Sequence, residues 1–321
     1  MSNVDISVII PSKNNKNKTA EIIRKVSEQT KNIEVEFIVI DMNSTDNTVL
    51  LTLNEIKDNN LRGCVIQSGG STVSSALNTG IFKSDGKYIT FVYPRRLYKN
   101  YISDYYNDIE LKNADFVFSM PSETKSSSEL VRAGLNNISG TDLAIGLVRS
   151  IVNIDFTAVM FKREFLLSNH IRFYEECNYG YAEAFIFNAL LYNPKIAYSD
   201  IDLERDYVNG LSKDDSSTFT NNCFERVDSI LKVAETIRLR HNNNEALSSA
   251  FEYQKIPSVV MSCVDILLNA GFGYNAIKNS LHLKHYDTLL KVSKATPLKL
   301  RKQIFKWKAT PWLYKPTNNN L

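Results

Sequence analysis

Short apolar runs alternate with segments of helical period over the first hundred residues of the chain. Each apolar run ends in a polar stretch, and the segment after it repeats its apolar residues every three or four positions. This alternation predicts βαβ units and an α/β fold, with a mostly parallel sheet buried on both faces and flanked by helices. The predicted strands are 6–10, 35–41, 63–67 and 87–93, and the predicted helices are 19–29, 48–57 and 71–82.

The polar stretches follow the carboxyl ends of the predicted strands. Open α/β sheets bind their ligands in the crevice outside these ends. We therefore expect four segments to line one crevice, and these are 11–14, 41–46, 68–71 and 93–96.

The pattern changes after residue 96. A further strand is predicted at 114–120, and a Ser-rich loop begins at 121. FTAVMFKREFL and HIRFYEE have the pattern of strands, YAEAFIFNALL that of an amphipathic helix, and the chain becomes mostly helical from about residue 216. The predicted division is a first half of the sheet domain at 1–100, a second half at 101–215 and a C-terminal helical region at 216–321.

Composition places the chain among ordinary globular proteins, because 43% of its 321 residues are hydrophobic and 23% are charged. The four cysteines are far apart and form no CxxC pair, and the N-terminus lacks the pattern of a signal peptide. These features predict a reducing, cytoplasmic location. No apolar run reaches the roughly 18 residues that a membrane span needs, so any membrane would be met from its surface.

The last part of the chain is basic and aromatic. From 275 to 321 it carries ten Lys or Arg and a single acid, Asp287. Such a tail suits the inner face of an anionic membrane, packing against its own domain, or a partner subunit. Nucleic acid is not an expected partner. The apolar residues interleaved with the lysines are Leu290, Val292, Leu298, Leu300, Ile304, Phe305, Trp307, Trp312, Leu313 and Tyr314.

Several stretches together resemble the family 2 glycosyltransferases of the GT-A fold. They are ISVIIPSKN, IEVEFIVIDMNSTDNT and SSALNTGIFKSDGKYITF, followed later by VMFKREFLLSNHIRFYEE and YAEAFIF. They stand in the family's order and spacing over roughly the first 215 residues. The resemblance implies a GT-A type, Rossmann-like sheet with a C-terminal helical region, and a nucleotide sugar as co-substrate, with a UDP-sugar the expected donor. It also implies that 1–100 is the nucleotide-sugar-binding half of the GT-A domain and 101–215 its acceptor-side half.

The resemblance assigns the donor nucleotide to Pro11, Asn14 and Asp41. A carboxylate such as that of Asp41 can accept a hydrogen bond from the imide N–H of uracil or thymine. The alternative is that Asp41 only caps its turn, together with Ser44 and Thr45. Asn78 matches a segment beneath the donor phosphates, although the preceding Leu77 stands where the family usually has Arg.

The expected metal site is replaced by other residue types. Where the family has an acidic pair that holds a divalent cation, this chain has Tyr93, Pro94, Arg95 and Arg96. Guanidinium has no lone pair to offer a cation, so a divalent metal is not expected here. Either the two arginines bind the donor diphosphate in place of the metal, or the site is degenerate and they lie at the surface or pair with nearby acids such as Asp104.

The family's general base is also altered. Ala184 occupies the position of the usual Asp, while the preceding Glu183 remains. Glu183 could act as the base, or it could be only a favourable charge at a helix N-terminus. Arg205 corresponds to a basic residue near the donor phosphates, and its alternative is an ion pair with Glu204 or Asp206.

Two functions of different classes follow. The first is an inverting glycosyltransferase that acts on a surface polysaccharide, wall polymer or glycoprotein, with a glycan, lipid-linked or protein acceptor. The second is a catalytically inactive relative that binds or scaffolds an active transferase, with a partner glycosyltransferase or a second copy of the chain as its partner.

Overall fold

The computed structural model describes residues 4–69, 72–94, 97–121, 134–206 and 222–316. Two of the predicted site residues, Arg95 and Arg96, lie outside these residues, as does most of the Ser-rich loop that begins at 121.

A seven-stranded, mostly parallel sheet forms the centre of the structure, with strand order β3-β2-β1-β4-β7-β6-β8. Strands β1 to β4 run parallel, β7 is antiparallel to both of its neighbours, and β6 and β8 are parallel. A separate two-stranded sheet pairs β5 with β9. The strands are β1 Ile6–Ser12, β2 Val35–Asp41, β3 Arg62–Gln67, β4 Tyr88–Phe91, β5 Leu97–Tyr98, β6 Phe116–Phe118, β7 Val159–Lys162, β8 Ile196–Tyr198 and β9 Arg205–Asp206.

Burial explains why the central strands have continuous apolar sequences. Every residue of β1 and β4 is buried, as is nearly all of β2, because helices cover both faces of the sheet. The edge strand β3 has the sequence RGCVIQ and is largely exposed. The predicted mostly parallel sheet flanked by helices, with a helical C-terminal region, is therefore confirmed.

Helices fill the connections and most of the C-terminal region. They are α1 Lys16–Gln29, α2 Thr48–Asp58, α3 Val73–Lys83, α4 Tyr101–Leu111, α5 Gly140–Val148, α6 Arg163–Ser168, α7 Tyr181–Leu190, α8 Glu225–Arg240, α9 Glu245–Ala250, α10 Ile256–Asn269, α11 Tyr274–Leu283 and α12 Leu298–Ala309. Phe251–Lys255 forms a π-helical turn between α9 and α10. None of the helices in the described ranges combines the length and apolarity needed to cross a bilayer.

Two glycines set the positions of helices beside the sheet. A Cβ on Gly80 would lie 2.4 Å from Cγ2 of Ile9, so α3 approaches β1 too closely for any other residue. Gly180 has φ +76°, a left-handed conformation that favours glycine, and a Cβ there would lie 2.6 Å from Oγ of Ser229. Gly180 therefore fixes the point at which α7 begins.

The prediction of a strand at HIRFYEE was wrong. Residues 171–174 form no strand. The side chain of Asn78, and not a neighbouring strand, makes hydrogen bonds with the backbone of this segment. The amide of Asn78 accepts from the backbone N–H of Phe173 (2.9 Å) and donates to its carbonyl (3.0 Å). Helix α7 also departs from its predicted amphipathic character, since residues 184–190 are all buried.

One hydrophobic cluster extends from the sheet into the C-terminal helices. It includes Phe91 of β4, Phe185 of α7, Met261 of α10 and Trp307 of α12. Inside it the rings of Phe173 and Phe185 stack with centroids 3.9 Å apart. The buried aromatic side chains of this cluster hold the C-terminal helices against the sheet.

Candidate active site

A cavity of about 1130 Å³ lies at the carboxyl ends of the parallel strands. Pro11 and Lys13 of the loop after β1, Met42 after β2, and Tyr93 and Pro94 after β4 line one side of it. The opposite side is built by residues 147–157, by Tyr181, Ala182 and Glu183 at the start of α7, and by Lys255 and Ser258. Three of the four segments predicted to line one crevice contribute to this cavity, whereas Ser68 and Gly69, the described residues of the fourth, do not. The C-terminal region also contributes to its wall.

Asp41 ends β2 and is almost completely buried. One carboxylate oxygen, Oδ2, accepts a hydrogen bond from the backbone N–H of Ser44 at 3.1 Å. The other oxygen, Oδ1, is buried and has no hydrogen-bond partner among the described residues. Buried polar atoms are normally paired, so an orphaned acceptor calls for an explanation. Asp41 caps its turn, and its Oδ1 has an unfilled acceptor position among the described residues, although Asp41 itself is not among the described residues that line the cavity.

Asn14 connects the loops that follow β1 and β2. Its backbone N–H donates to Oγ of Ser44 (2.9 Å), and its side-chain oxygen accepts from the backbone N–H of Thr45 (2.8 Å). Asn14 has φ 51°, a left-handed conformation that Asn tolerates better than most residues. These bonds hold the loop that carries Pro11 against the turn of Asp41. Asn14 is not among the described residues that line the cavity.

Both N–H groups of the Asn78 side-chain amide are already used as donors, so none is left for a phosphate. Besides its two bonds to the Phe173 backbone, its amide donates to Oε1 of Glu175 at 2.9 Å. The structure places it between α3 and residues 173–175, away from the described cavity lining. Its observed contacts are those of a residue that holds the irregular segment in place.

Tyr93 and Pro94 bring the end of β4 to the cavity. The hydroxyl of Tyr181 donates to the hydroxyl of Tyr93 at 3.3 Å, which joins the two sides of the cavity. The ring of Tyr93 also meets that of Phe156 edge-on, with centroids 6.1 Å apart. Arg95 and Arg96 follow Pro94 directly in the sequence and lie outside the described residues.

Glu183 is paired with Lys255, a residue that no sequence motif suggested. The Lys255 ammonium donates to Oε1 of Glu183, and the side chains are 15% and 38% exposed respectively. Burial raises the pKa of Glu183, but the attraction and hydrogen bond of Lys255, with the charge of Arg226, outweigh it, so the pKa lies below its ordinary value. Glu183 is therefore ionised at neutral pH, as an acceptor of a proton must be.

Ala184 points away from the cavity. It is fully buried in the hydrophobic cluster, whereas Tyr181, Ala182 and Glu183 line the cavity. The start of α7 at Tyr181, set by Gly180, therefore presents position 183 and not position 184 to the cavity. Any carboxylate that this helix offers to a substrate has to stand where Glu183 stands.

Arg205 belongs to β9, where it pairs with Tyr98 of β5. Its side chain lies outside the described part of the structure. Glu204, one of its expected ion-pair partners, has its carboxylate 3.2 Å from the ammonium of Lys99.

The described donor set does not fit a divalent cation. Asp155 and Glu183 are the acidic residues among the described lining. Asp155 accepts from the Tyr98 hydroxyl (2.6 Å) and from the Thr157 backbone N–H (2.9 Å), and Glu183 is held by Lys255. No group of three or more His, Cys, Asp or Glu side chains in the described ranges could hold a metal. Hard cations require several free oxygen ligands, and these carboxylates are already engaged.

Asp155 and Lys255 are lining residues that the sequence interpretation missed, and Lys13 lies in the predicted segment 11–14 but was not singled out there. Asp155 has a local signal, since an Asp followed two residues later by Thr is typical of a turn held by the Asp side chain. Lys13 lies in the loop after β1 and is exposed, with its ammonium available to an anion. Lys255 has no local signal, because only tertiary packing brings it to α7.

Comparison with known proteins agrees with this architecture. The model of glycosyl transferase family 2 matches residues 7–92. No curated protein matches the chain. Among solved structures, residues 1–349 of TarS from S. aureus are similar, with 16% identity, a TM-score of 0.54, and coverage of 95% of this chain and 87% of that one.

Two further solved structures contain a nucleotide sugar. The same TarS fragment in complex with UDP-GlcNAc has 15% identity and a TM-score of 0.54, with 95% of this chain and 88% of that chain covered. Mannosyltransferase PcManGT from Pyrobaculum calidifontis, in complex with GDP-Man and Mn²⁺, has 13% identity and a TM-score of 0.53, with 98% and 88% covered. At such identities the likeness establishes the fold. Residues 7–92 match the model of glycosyl transferase family 2, and the chain has the fold of these glycosyltransferase structures, the GT-A fold.

Proposed function

We propose that this protein transfers a sugar from a nucleotide sugar, with a UDP-sugar the expected donor, to a hydroxyl group of a glycan acceptor. The observation that carries the proposal is the cavity that joins the ends of β1, β2 and β4 to Glu183 on α7. The strand ends are where an α/β sheet receives a nucleotide, and Glu183 is the ionised group across from them. A family 2 domain over residues 7–92 supports glycosyl transfer as the reaction class.

The proposed step is a single displacement with inversion at the sugar. The acceptor oxygen forms a bond to the anomeric carbon while the bond from that carbon to the diphosphate oxygen breaks. The hydroxyl proton passes to the carboxylate of Glu183, and the electron pair of the broken bond leaves with the nucleoside diphosphate. One carboxylate is sufficient for this direct displacement, because no covalent glycosyl-enzyme intermediate has to form.

The departing diphosphate needs positive charge, and we propose that guanidinium supplies it without a metal. Arg95 and Arg96 directly follow Tyr93 and Pro94, which line the cavity. A guanidinium group can bond two phosphate oxygens at once, and its charge does not depend on pH. The engaged states of Asp155 and Glu183 support this metal-independent form of the reaction.

Calorimetric titration with UDP, with and without EDTA, tests the metal-independent site. We expect the same Kd in both conditions, and a loss of about tenfold to a hundredfold in affinity for Arg95→Ala, the value of one to two charge-assisted hydrogen bonds. Arg238→Ala is the matched control, because Arg238 is exposed in the last turn of α8. Binding that disappears with EDTA, or that is equally weak in both variants, contradicts the proposal.

Asp41→Asn is expected to weaken binding of uridine and thymidine nucleotides by about tenfold to a hundredfold. The amide can still accept from the Ser44 N–H, but its other end then presents N–H donors where the imide N–H of the base needs an acceptor. The measurement is a UDP titration, with Asp58→Asn at the exposed end of α2 as the control. Unchanged affinity in Asp41→Asn would show that Asp41 only caps its turn.

The alternative function is a catalytically inactive subunit that binds or scaffolds an active transferase. The observation in its favour is the ion pair of Glu183 with Lys255, because a carboxylate held by an ammonium is a weaker base than a free one. Titration with UDP-, GDP- and dTDP-sugars separates the two functions. Failure to bind any of them favours the scaffold, whereas binding followed by slow hydrolysis or transfer favours the enzyme.

The proposed setting is cytoplasmic assembly of a surface polysaccharide, a wall polymer or a glycoprotein, with a lipid-linked or protein-linked acceptor. The resemblance to family 2 motivates this setting. The size of the cavity supports simultaneous binding of a donor and an acceptor, since about 1130 Å³ exceeds the usual range for a single small ligand.

A further inference from the structure

The C-terminal segment 290–316 has two distinct sides. Its inner side is part of the protein core, where Leu300, Ile304 and Trp307 are buried. The ring of Trp307 meets that of Tyr314 edge-on, and the Tyr314 hydroxyl donates to the buried Oδ1 of Asp265 on α10 at 2.7 Å. The expected packing of this tail against its own domain is therefore present and accounts for half of its apolar residues.

The outer side carries large apolar side chains that the core does not use. In α12 the buried residues lie on one face, and Leu298, Lys302 and Phe305, spaced by four and three residues, lie on the other. Leu298 is 65% exposed, Phe305 72%, Trp312 62% and Leu313 65%. Leu298 and Phe305 are about 10 Å apart along the helix at its usual rise. Scattered exposed apolar residues are common, but an aligned set with two aromatic rings indicates an interaction surface.

Lysines surround these residues, and we call the whole surface the basic aromatic face. It consists of Leu298, Lys299, Lys302, Phe305, Lys306, Trp312 and Leu313. Segment 290–316 contains eight Lys or Arg and no acidic residue. Within the described ranges, Lys299, Lys302 and Lys306 have no carboxylate within ion-pair distance, whereas Lys291 pairs with Glu252 at 2.7 Å. The charge of the face is therefore available to an external anionic partner.

We propose that the basic aromatic face binds the surface of an anionic lipid bilayer. Aromatic and leucine side chains that stand out from a helix can enter the boundary between headgroups and acyl chains, while flanking lysines meet lipid phosphates. Neither element is sufficient alone, since stable attachment to a membrane surface takes both an apolar and an electrostatic contribution. The carboxylates of an acidic protein partner would pair with the lysines, but they would leave the exposed apolar side chains of Phe305, Trp312 and Leu313 in water. This inference does not rest on the proposed glycosyl transfer.

Flotation of the purified protein with lipid vesicles tests the proposal. We expect binding to vesicles of equal parts phosphatidylcholine and phosphatidylglycerol, weak binding to phosphatidylcholine alone, and release at high salt because the attraction is screened. Lys299, Lys302 and Lys306 changed together to Gln should lower the partition coefficient on the order of a hundredfold, at about one kcal/mol per lysine. Trp312→Ser with Leu313→Ser should lower it by at least about tenfold even at low salt.

Matched controls keep the test specific to this face. Lys31, Lys57 and Lys83 changed together to Gln remove the same charge from exposed positions elsewhere, and Leu111→Ser removes an exposed leucine from α4. Both controls should bind vesicles as the parent does. Equal loss in the controls overturns the proposal, as does absence of binding to anionic vesicles. Self-association that Phe305→Ser abolishes, without vesicle binding, would likewise overturn it and assign the face to a second copy of the chain.

Discussion

Glu183→Gln is expected to lower kcat for sugar transfer by about 10²- to 10⁴-fold while the affinity for the donor nucleotide changes little. The amide keeps the size of the side chain and can still accept from Lys255, but it cannot take the proton of the acceptor hydroxyl. The proposed nucleotide end of the cavity, at Pro11 and Met42, is contributed by other elements. Release of nucleoside diphosphate from a UDP-sugar with acceptor measures the rate, and calorimetry measures the binding.

The chain offers a matched control for this variant. Glu176 pairs with Lys232 outside the cavity, so Glu176→Gln changes an equivalent Glu–Lys pair at the surface. It should leave both kcat and nucleotide affinity near the parent values. Equal losses in the two variants would indicate a general effect on folding, and full activity in Glu183→Gln would remove Glu183 from the proposed reaction.

Replacement of Lys255 provides an independent test of the role of Glu183. The charge and hydrogen bond of this lysine hold the pKa of Glu183 below the ordinary value, so replacing Lys255 with Met should raise that pKa. Since the base must be ionised, the fall in kcat/KM on the acidic side should then begin at a higher pH. Lys255→Arg keeps the charge and should restore the parent profile. A purely structural Lys255 would change the amount of folded protein and leave the position of the acidic limb unchanged.

The sheet was predictable because β1, β2 and β4 are buried on both faces and therefore have continuous apolar sequences bounded by polar loops. Local sequence is sufficient to recognise such strands. HIRFYEE was predicted wrongly for the converse reason. The backbone of Phe173 is hydrogen-bonded by the side chain of Asn78, 95 residues away in the chain. The local sequence pattern cannot predict such a distant partner.

The cavity lining was predictable where it follows the strand ends, as at Pro11 and Tyr93. Lys255 was not, because it reaches the cavity through a π-helical turn that only the packing of the C-terminal helices reveals. Such turns often occur at functional sites, but nothing in the sequence FEYQK predicts one. The choice between positions 183 and 184 likewise depends on where α7 begins, and Gly180 sets that through its left-handed φ of +76° and a site beside Ser229 that has no room for a Cβ.

Restoring an aspartate at the family's position tests this helix register directly. Ala184→Asp should destabilise the protein by about 3 kcal/mol or more and should not raise the transfer rate. Ala184 is fully buried in a hydrophobic cluster, so the new carboxylate would find neither water nor a counter-ion there. Urea unfolding of the parent and the variant measures the free-energy difference.

The pH dependence of the stability lost in Ala184→Asp distinguishes the burial of a charge from steric overpacking. Burial would raise the pKa of the introduced carboxyl group above its unfolded value of about 4, so the folded state would hold the proton more tightly than the unfolded state. The stability of Ala184→Asp should therefore fall, relative to Ala184→Asn, as pH rises from about 4 to the folded-state pKa. Ala184→Asn has nearly the same volume and does not titrate, so its loss should be nearly constant with pH. If Ala184→Asp were instead as stable as the parent and faster in transfer, position 184 would face the cavity, and Glu183 would no longer be the proposed base.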